Sequence, residues 1–442
     1  MDSDGLLDYF KQIAVINLDR RPDRWRQFVD HLAEIDWPFR PPVRFSAVDG
    51  EVIPHPDWFQ PGAGAWACQL SHMRVIEEAL KNQTENVLIL EDDVRFPADL
   101  RERAARFLGQ VPSDWHQLYL GGQHVLTDTQ PPMELNSEVL TPYAVGRTHA
   151  YALHQPYYAT LYRALSGFPT QAKNPNAHLD YRMVDLHETG CYGIFAPHEW
   201  MAVQGDNLSD ISCQQEGERG WHPTQIRGNS TPFVAVVGLH RSGSSCLAGV
   251  LRKLGVFMGR DLGGYEETGG YEARGLAKLC ERAYPFPSTE RRGARRQLVN
   301  ALLIHIRYGQ EAARRNGTIA GGKYPHLCAM GDELREVCGD KLKVIHIDRP
   351  LEDSIASLQD RSEKAQGRFR IRDDDAEDVQ RWLWREKRSF LASVEHLTVK
   401  YHDLLSDPRR KVGRIVDFLG LKASEASVDQ AVEHVRPSLR SH

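Results

Sequence analysis

An eight-residue loop after a short apolar run is the feature that most restricts how this 442-residue chain can fold. The run is FVAVV at residues 233–237, and the loop is GLHRSGSS at residues 238–245. A buried strand that turns through such a loop into a helix points backbone N–H groups toward one spot, where they can bind phosphate. The sequence therefore predicts an α/β domain that binds a phosphorylated ligand in the second half of the chain.

The loop departs from the ATP-binding pattern G-x-x-x-x-G-K-[ST] at one position. Ser244 stands where that pattern has its lysine, and the basic residue of the loop is Arg241. Because the lysine supplies the charge between the β- and γ-phosphates, its displacement favours a ligand held at a 5′-phosphate. A P-loop kinase with Asp348 as its magnesium ligand is the less favoured alternative.

Composition and length indicate a globular protein with two or three domains. A formal net charge of −5 gives no reason to expect a nucleic-acid partner. The N-terminus lacks a signal-peptide pattern, no apolar run is long enough to span a bilayer, and the seven cysteines are scattered without a C-x-x-C pair. We therefore expect reduced thiols and a cytoplasmic protein. Peripheral attachment at the inner face of a membrane, through a lipid-linked acceptor, stays open.

Strands alternate with helices on both sides of one polar segment. The pattern predicts strands at 13–18, 87–90, 117–120, 149–153, 233–237, 343–347 and 398–400, with helices at 23–35, 67–80, 98–108, 156–165, 244–254, 351–359, 377–394 and 408–419. Such alternation predicts α/β folding, with a mostly parallel sheet covered on both faces in the first half. Residues 213–231 carry no period and are rich in Gly and Pro, so we expect a linker between domains at 1–212 and 232–442.

Arginine is concentrated between residues 282 and 315, where Glu290 and Glu311 oppose it. The arginines in this stretch include Arg291, Arg292, Arg295, Arg296, Arg307 and Arg314. A solvated basic helix face is the favoured interpretation, and a wall of an anion site is the other.

An acidic triplet, Glu91-Asp92-Asp93, directly follows the apolar run at 87–90. Open α/β sheets bind ligands at the carboxyl ends of their strands. Carboxylates there can hold Mn²⁺ or Mg²⁺, which bridges a diphosphate and neutralises a departing nucleoside diphosphate. The triplet alone is equally typical of a solvated strand end.

Further motifs occur in order around this triplet. They are IAVINLDRRPDR at 13–24, RFSAVDG at 44–50, GAWACQLSH at 64–72, VLILEDDVRF at 87–96, WHQLYLG at 115–121 and QGDNLSDI at 204–211. Over residues 11–212 the chain resembles glycosyltransferase family 25. That family includes bacterial lipooligosaccharide galactosyltransferases and the collagen hydroxylysine galactosyltransferases.

The resemblance implies a GT-A-like fold and inverting transfer of a hexose, most often galactose from UDP-galactose, to a carbohydrate or glycoconjugate acceptor. It places Asp93, with Glu91 or Asp92, at the metal and Asp180 as the base. The residues it places at the donor are Asn17, Arg20, Arg24, Ser71 and His72.

The second half carries a different set of motifs. Asp348-Arg349-Pro350 follows the strand at 343–347, and Ser357 lies in the next helix. With the loop at 238–245 come LGV at 254–256, GYE at 270–272, VKYHDLLSDP at 399–408 and FLGL at 418–421. Over residues 232–440 the chain resembles bacterial sulfotransferases that use 3′-phosphoadenosine 5′-phosphosulfate (PAPS).

This second resemblance implies a P-loop-like sulfotransferase domain, in which Arg349 and Ser357 hold the 3′-phosphate. Arg241 would stabilise the leaving phosphate, and Glu272 or, second, His326 would be the base. The residues implied at the 5′ end are Arg241, Ser242, Gly243, Ser244 and Ser245. Residues 323–326 read KYPH where related enzymes commonly read K-D-P-R, so a module that binds nucleotide or glycan without turnover is a further alternative. The motifs do not specify the acceptor, the linkage or the oligomeric state.

Overall fold

The computed structural model describes residues 1–166, 178–205, 207–208, 215–216, 225–259, 262–263, 271–364 and 373–435. The chain divides into two compact units, Met1–Arg227 and Gly228–His442. The division falls inside the expected linker, and the exact limits 1–212 and 232–442 stay predictions. Cys213, Gly270 and most of the motif at 204–211 lie outside the residues whose side chains are described.

The first unit contains helices and strands in mixed order. Its strands are β1 Gln12–Asn17, β2 Val43–Ser46, β3 Asn86–Glu91, β4 Val94–Arg95, β5 Gln117–His124, β6 Met133–Glu134, β7 Val139–Thr141, β8 Val145–His154, β9 Ile194–Pro197, β10 Val203–Gln204, β11 Asn207–Leu208 and β12 Gln215–Glu216. Its helices are α1 Ser3–Leu7, α2 Pro22–Glu34, α3 Ala63–Lys81, α4 Leu100–Gln110, α5 Gln155–Ser166 and α6 Leu179–His187.

Eight of these strands form one sheet in the order β2-β1-β3-β8-β5-β9-β7-β6. Pairings β1–β2, β1–β3 and β5–β9 are parallel, but β8 is antiparallel to both β3 and β5. The expectation of a mostly parallel sheet in this half was therefore wrong. The reason lies between β5 and β8, where the chain forms only the short strands β6 and β7. Without a crossover helix, the returning strand pairs antiparallel.

The buried centre of this sheet positions the acidic triplet. In β3 the apolar residues 87–90 are fully buried between β1 and β8. Helix α3 supplies Val75, Ile76 and Ala79 to the same core. Continuous apolar burial on both faces is typical of a central strand, and it fixes where β3 ends and the triplet begins.

The second unit has its own sheet and helices. Its strands are β13 Phe233–Val237, β14 Leu262–Gly263, β15 Glu272–Ala273, β16 Ala320–Lys323, β17 Leu342–Asp348 and β18 His396–Lys400. Its α-helices are α7 Ser244–Lys253, α8 Arg274–Ala283, α9 Arg295–Arg315, α10 Gly331–Cys338, α11 Leu351–Lys364, α12 Asp373–Leu391, α13 Tyr401–Ser406, α14 Pro408–Leu419 and α15 Glu425–His434, and residues Pro325–Ala329 and Gly339–Lys341 are 3₁₀ turns.

Four strands of this unit form a fully parallel sheet in the order β16-β13-β17-β18. Helices cover it, so the predicted α/β class is confirmed for both units. Strand β16 was not predicted, because its residues AGGK have little β-propensity. All four residues of β16 are buried, because this strand lies beside β13 and contacts α9.

The arginine-rich stretch is only partly the solvated face that was favoured: Arg291, Arg292 and Arg314 are exposed, but two other arginines are buried. Arg296 and Arg307 are 2% and 1% exposed. Arg296 pairs with Glu336 at 2.6 Å, while Arg307 donates to Asn229 Oδ1 at 2.9 Å and to the Val337 carbonyl at 2.7 Å. These two guanidinium groups hold α9 to its neighbours, so these two arginines of the stretch have a structural role.

Within the described residues, no helix has the length and apolar character needed to cross a bilayer. The six described cysteines are free, and four of them are buried.

We predict that Arg307→Ala lowers the free energy of unfolding of the second unit by about 3 kcal/mol. The substitution removes the Arg307 donors of two buried acceptors, the Val337 carbonyl and the Gln310 amide oxygen, at about 1–3 kcal/mol for each buried group. The measurement is urea unfolding of the full chain. The control is Arg315→Ala, whose exposed ion pair with Glu311 is worth about 1 kcal/mol or less. Equal effects of the two substitutions would contradict the structural role.

Candidate functional sites

The three carboxylates of the acidic triplet have different surroundings. Asp92 is buried and has a partner on each oxygen. Asn17 Nδ2 donates to one at 2.6 Å, and Arg24 lies 3.2 Å from the other. Asp92 thereby joins the end of β3 to β1 and α2, and its role as a metal ligand stays a prediction.

Asp93 is equally buried but only partly satisfied. Gln204 Nε2 donates to its Oδ2 at 3.0 Å, whereas Oδ1 has no hydrogen-bond partner among the described residues. Burial, followed by the charge of Glu91, raises the pKa of Asp93. A buried acceptor without a donor is costly, and a cation would satisfy it.

Glu91 lies between these acids and helix α3. The Thr148 hydroxyl donates to Glu91 Oε1 at 2.7 Å, and His72 Nε2 lies 3.5 Å from the same oxygen. Burial opposes ionisation of this carboxyl, but its contacts with His72 and Thr148 outweigh burial and lower its pKa. Glu91 is therefore the ionised member of the Glu91–Asp93 pair.

A cavity of about 300 Å³ opens beside Glu91. Its lining includes Asp180 and Gln204, the residue that holds Asp93. Asp180 lies in the first turn of α6. Its Oδ2 accepts a hydrogen bond from the Arg147 backbone N–H, and its Oδ1 accepts one from the Tyr181 backbone N–H, both at 2.9 Å. Each oxygen keeps a second lone pair, so Asp180 is positioned to accept a proton from a bound ligand.

Other residues implied at the donor site are engaged inside the protein. Arg20 pairs with Asp49 at 2.9 Å. The Ser71 hydroxyl accepts from the Val48 N–H and donates to the Ala67 carbonyl, so it ties α3 to the chain after β2. Ser71 is buried and is not among the residues that line the cavity. Its role as a donor contact stays a prediction.

The glycine-containing loop of the second unit connects β13 to α7 at the carboxyl edge of the parallel sheet. Gly243 has φ of 92°, a conformation that favours glycine. A Cβ at this position would collide with the ring of Tyr401. Arg241 also has a positive φ, 63°. Residues other than glycine rarely adopt a positive backbone φ. The loop therefore holds the Arg241 side chain in an unusual direction.

That direction brings three residues of the predicted phosphate site together. Arg241 Nε lies 3.3 Å from Ser357 Oγ on α11, and Arg349 donates to the Arg241 carbonyl at 2.7 Å. Arg349 follows β17, and β17 pairs directly with β13. Two guanidinium groups and a hydroxyl therefore converge beside the N-terminus of α7, an arrangement suited to phosphate.

Sequence reasoning missed the role of Lys323. This residue ends β16, and its Nζ lies 2.9 Å from Ser245 Oγ and 2.6 Å from Glu272 Oε1. It is 4% exposed. A neighbouring strand thus supplies a lysine beside the loop that lacks one. The retained K of KYPH was the available signal, but β16 had not been recognised as a strand.

His326, the second candidate base, lies in the 3₁₀ turn after β16 among the rings of Tyr284, Tyr324 and Trp382. Burial lowers its pKa to about 4. Neither ring nitrogen has a hydrogen-bond partner among the described residues. The His326 ring packs edge-on against the ring of the loop residue His240, with 5.6 Å between centroids, whereas Glu272 reaches the loop through Lys323.

Comparison with known families agrees with this division of the chain. Residues 10–131 match the model of glycosyltransferase family 25 (LPS biosynthesis protein), and residues 232–425 match that of the sulfotransferase family. Both resemblances expected from the motifs are therefore confirmed. The chain therefore combines a segment similar to glycosyltransferase family 25 with a segment similar to the sulfotransferase family.

Curated relatives match the first of these segments. The human inactive glycosyltransferase 25 family member 3 is 28% identical over 234 residues, which are 48% of this chain and 38% of that protein. Human procollagen galactosyltransferase 2 is 28% identical over 129 residues, 25% of this chain and 21% of its own. The chain spans less than two fifths of the length of these two relatives.

Solved structures match about half of the chain. Sulfotransferase STF1 from Mycobacterium tuberculosis is 16% identical, with a TM-score of 0.34 over 46% of this chain and 71% of its own. The sulfotransferase domain of the Synechococcus olefin synthase is 23% identical, with a TM-score of 0.31 over 45% of this chain and 77% of its own.

Proposed function

We propose that this protein is a bifunctional glycan-modifying transferase. Its first domain transfers a hexose from a UDP-sugar, with galactose as the proposed sugar. Its second transfers a sulfuryl group from PAPS to a carbohydrate acceptor. The convergence of Arg241, Arg349 and Ser357 beside the Gly243 loop, with Lys323 joining from β16, is the observation that carries the proposal.

The first site suits a divalent cation with oxygen ligands. Asp93 would hold Mn²⁺ or Mg²⁺ through its unpartnered oxygen, with Glu91 as the second carboxylate. Asp92, predicted as an alternative ligand, is held by Asn17 and Arg24. Bound there, the ion would neutralise the departing diphosphate. Asp180 would take the proton of the acceptor hydroxyl from its place on the cavity wall.

The second site suits sulfuryl transfer. In this step the bond from sulfur to the 5′-phosphate oxygen breaks and a bond from sulfur to the acceptor oxygen forms. Negative charge grows on the departing phosphate, where Arg241 and Lys323 can stabilise it. Glu272 would accept the hydroxyl proton, and its 2.6 Å contact with Lys323 places base and cation side by side. Arg349 and Ser357 would hold the 3′-phosphate.

Kinase chemistry is less well supported by this geometry. Lys323 reaches Ser245 Oγ, but it is also paired with Glu272. Asp348 ends β17 at the same sheet edge, 3.8 Å from His346. Binding without turnover is the remaining alternative for the second domain, since residues 323–326 read KYPH where related enzymes commonly read K-D-P-R. The following experiments separate these possibilities.

We predict that Asp93→Asn lowers metal-dependent sugar transfer by more than about 100-fold, because one metal ligand loses its charge. Nucleotide binding by the second domain should not change. Transfer from radiolabelled UDP-galactose and calorimetry on the same protein measure the two properties. Asp36→Asn is the matched control, since Asp36 is an exposed acid of the same unit that pairs with Arg101. Full activity in Asp93→Asn would discard the metal assignment.

We predict that the intact protein binds 3′-phosphoadenosine 5′-phosphate in calorimetric titration and binds Mg-ATP weakly. Arg241→Ala should weaken binding of the first ligand about 10- to 100-fold, as expected for the loss of charged hydrogen bonds worth about 1.5–3 kcal/mol. Arg410→Ala, on the exposed side of α14, is the control. Tight ATP binding would favour the kinase, and unchanged affinity in Arg241→Ala would remove the loop from the site.

We further predict that the covalent link couples the two reactions by raising the effective concentration of the intermediate. At low acceptor, the wild-type chain should give more doubly modified product than an equimolar mixture of full-length Asp93→Asn and Arg241→Ala proteins. The difference should vanish at high acceptor. Product masses measured over time provide the readout. Equal yields at low acceptor would show that the intermediate is released before it is sulfated.

A further inference from the structure

A cysteine and a histidine on one face of α3 lie next to the end of β3. Cys68 and His72 are four residues apart, so their side chains share a face of the helix. Glu91 is the last residue of β3. One ligand atom from each of the three side chains lies within 4.8 Å of the other two.

The ligand separations are close to those of a metal site. With bonds of about 2.0–2.3 Å, two donors on a tetrahedral zinc ion lie roughly 3.3–3.7 Å apart. His72 Nε2 and Glu91 Oε1 already have this spacing, at 3.5 Å. The Cys68 Sγ lies within 4.8 Å of both atoms.

An independent observation at His72 also points to a ligand. The imidazole is fully buried, and its Nδ1 lies 2.9 Å from the Tyr151 hydroxyl. Its Nε2 faces Glu91 and has no hydrogen-bond partner among the described residues. If Nδ1 carries the proton and donates to Tyr151, then Nε2 presents a lone pair to a carboxylate. In that tautomer a cation between Nε2 and the Glu91 carboxylate would bind both, and a second-shell hydrogen bond of this kind is typical of metal-bound histidine.

The surroundings of Cys68 are strongly negative. Burial, with Glu91, Asp180 and Asp93 nearby, raises the pKa of the thiol well above its usual range. Cys68 and Glu91 also line the 300 Å³ cavity. A cation bound by all three side chains would therefore have one position open to the cavity.

We propose that Cys68, His72 and Glu91 form a three-ligand site for a borderline-soft divalent cation, with zinc as the best match, whose fourth position faces the cavity. Sulfur and imidazole ligands select zinc over Mg²⁺ or Mn²⁺, which prefer oxygen. Cys68 and His72 are distinct from the Asp93 oxygen assigned to the donor metal, and Glu91 is the ligand that the two sites would share. The three-ligand site does not depend on either transfer activity.

The test uses the full chain, stripped with a chelator under reducing conditions and titrated with Co²⁺. We expect a thiolate-to-cobalt charge-transfer band that saturates at one equivalent and is displaced by Zn²⁺ but not by Mg²⁺. Cys68→Ser should abolish the band. Cys191→Ser, at a half-buried cysteine of the same unit outside the cluster, should keep it. No band in the wild type, or a band unchanged in Cys68→Ser, would overturn the site.

Two further measurements keep the test decisive. Zn²⁺ should protect Cys68 of the wild-type protein from alkylation, as measured by peptide mass spectrometry, and should not protect Cys191. Equal labelling of Cys68 with and without Zn²⁺ would overturn the proposal.

Asp93→Asn should lose sugar transfer yet keep the cobalt band. Loss of the band in that variant would show a single ion shared with Asp93 and would overturn a separate site.

Discussion

Parallel pairing of β13 with β16 on one side and β17 on the other is the constraint on which the second domain depends. Parallel neighbours end at the same edge of a sheet, so residues distant in sequence meet there. The loop after β13, Lys323 at the end of β16 and Arg349 after β17 are brought together in this way. Four buried β13 residues pair with four of β16, so a slip of one residue in this register would move the lysine away from Ser245.

In the first domain, the three adjacent acids Glu91, Asp92 and Asp93 have different roles. Neighbouring side chains at a strand end point in different directions, so each carboxylate of the triplet meets a different partner. Asp92 closes a buried network with Asn17 and Arg24. Glu91 turns toward α3 and the cavity, while Asp93 keeps one oxygen without a donor. The structural role of Asp92 is what leaves the other two available for ligands.

The sequence was sufficient where local pattern and burial agree. The apolar runs at 87–90 and 233–237 are buried strands, and the loop glycine Gly243 does have positive φ. The sequence was insufficient where long-range contacts determine the structure. The AGGK of β16 is a strand only because β13 lies beside it. Arg296 and Arg307 of α9 are buried because Glu336, Asn229 and the end of α10 accept their hydrogen bonds. The antiparallel entry of β8 likewise depends on how β5 to β8 are connected.

The candidate sites could be predicted only in part from the sequence, for the same reason. Motif spacing placed Arg241, Arg349 and Ser357 in one site, and the structure brings them into contact. It could not show that Lys323 bridges Ser245 and Glu272, since these residues come from three different elements.

Buried polar atoms left without partners give the strongest physical argument that the first domain binds a cation. Each such atom costs about 1–3 kcal/mol, and the unpartnered atoms belong to Asp93 and His72, which both interact with Glu91. A domain kept only as a scaffold would be more stable with apolar residues of similar volume at those positions. The two atoms differ in chemistry, oxygen at Asp93 and nitrogen beside the Cys68 sulfur at His72. Ions of different hardness would therefore satisfy them, with the Glu91 carboxylate as the ligand that both would share.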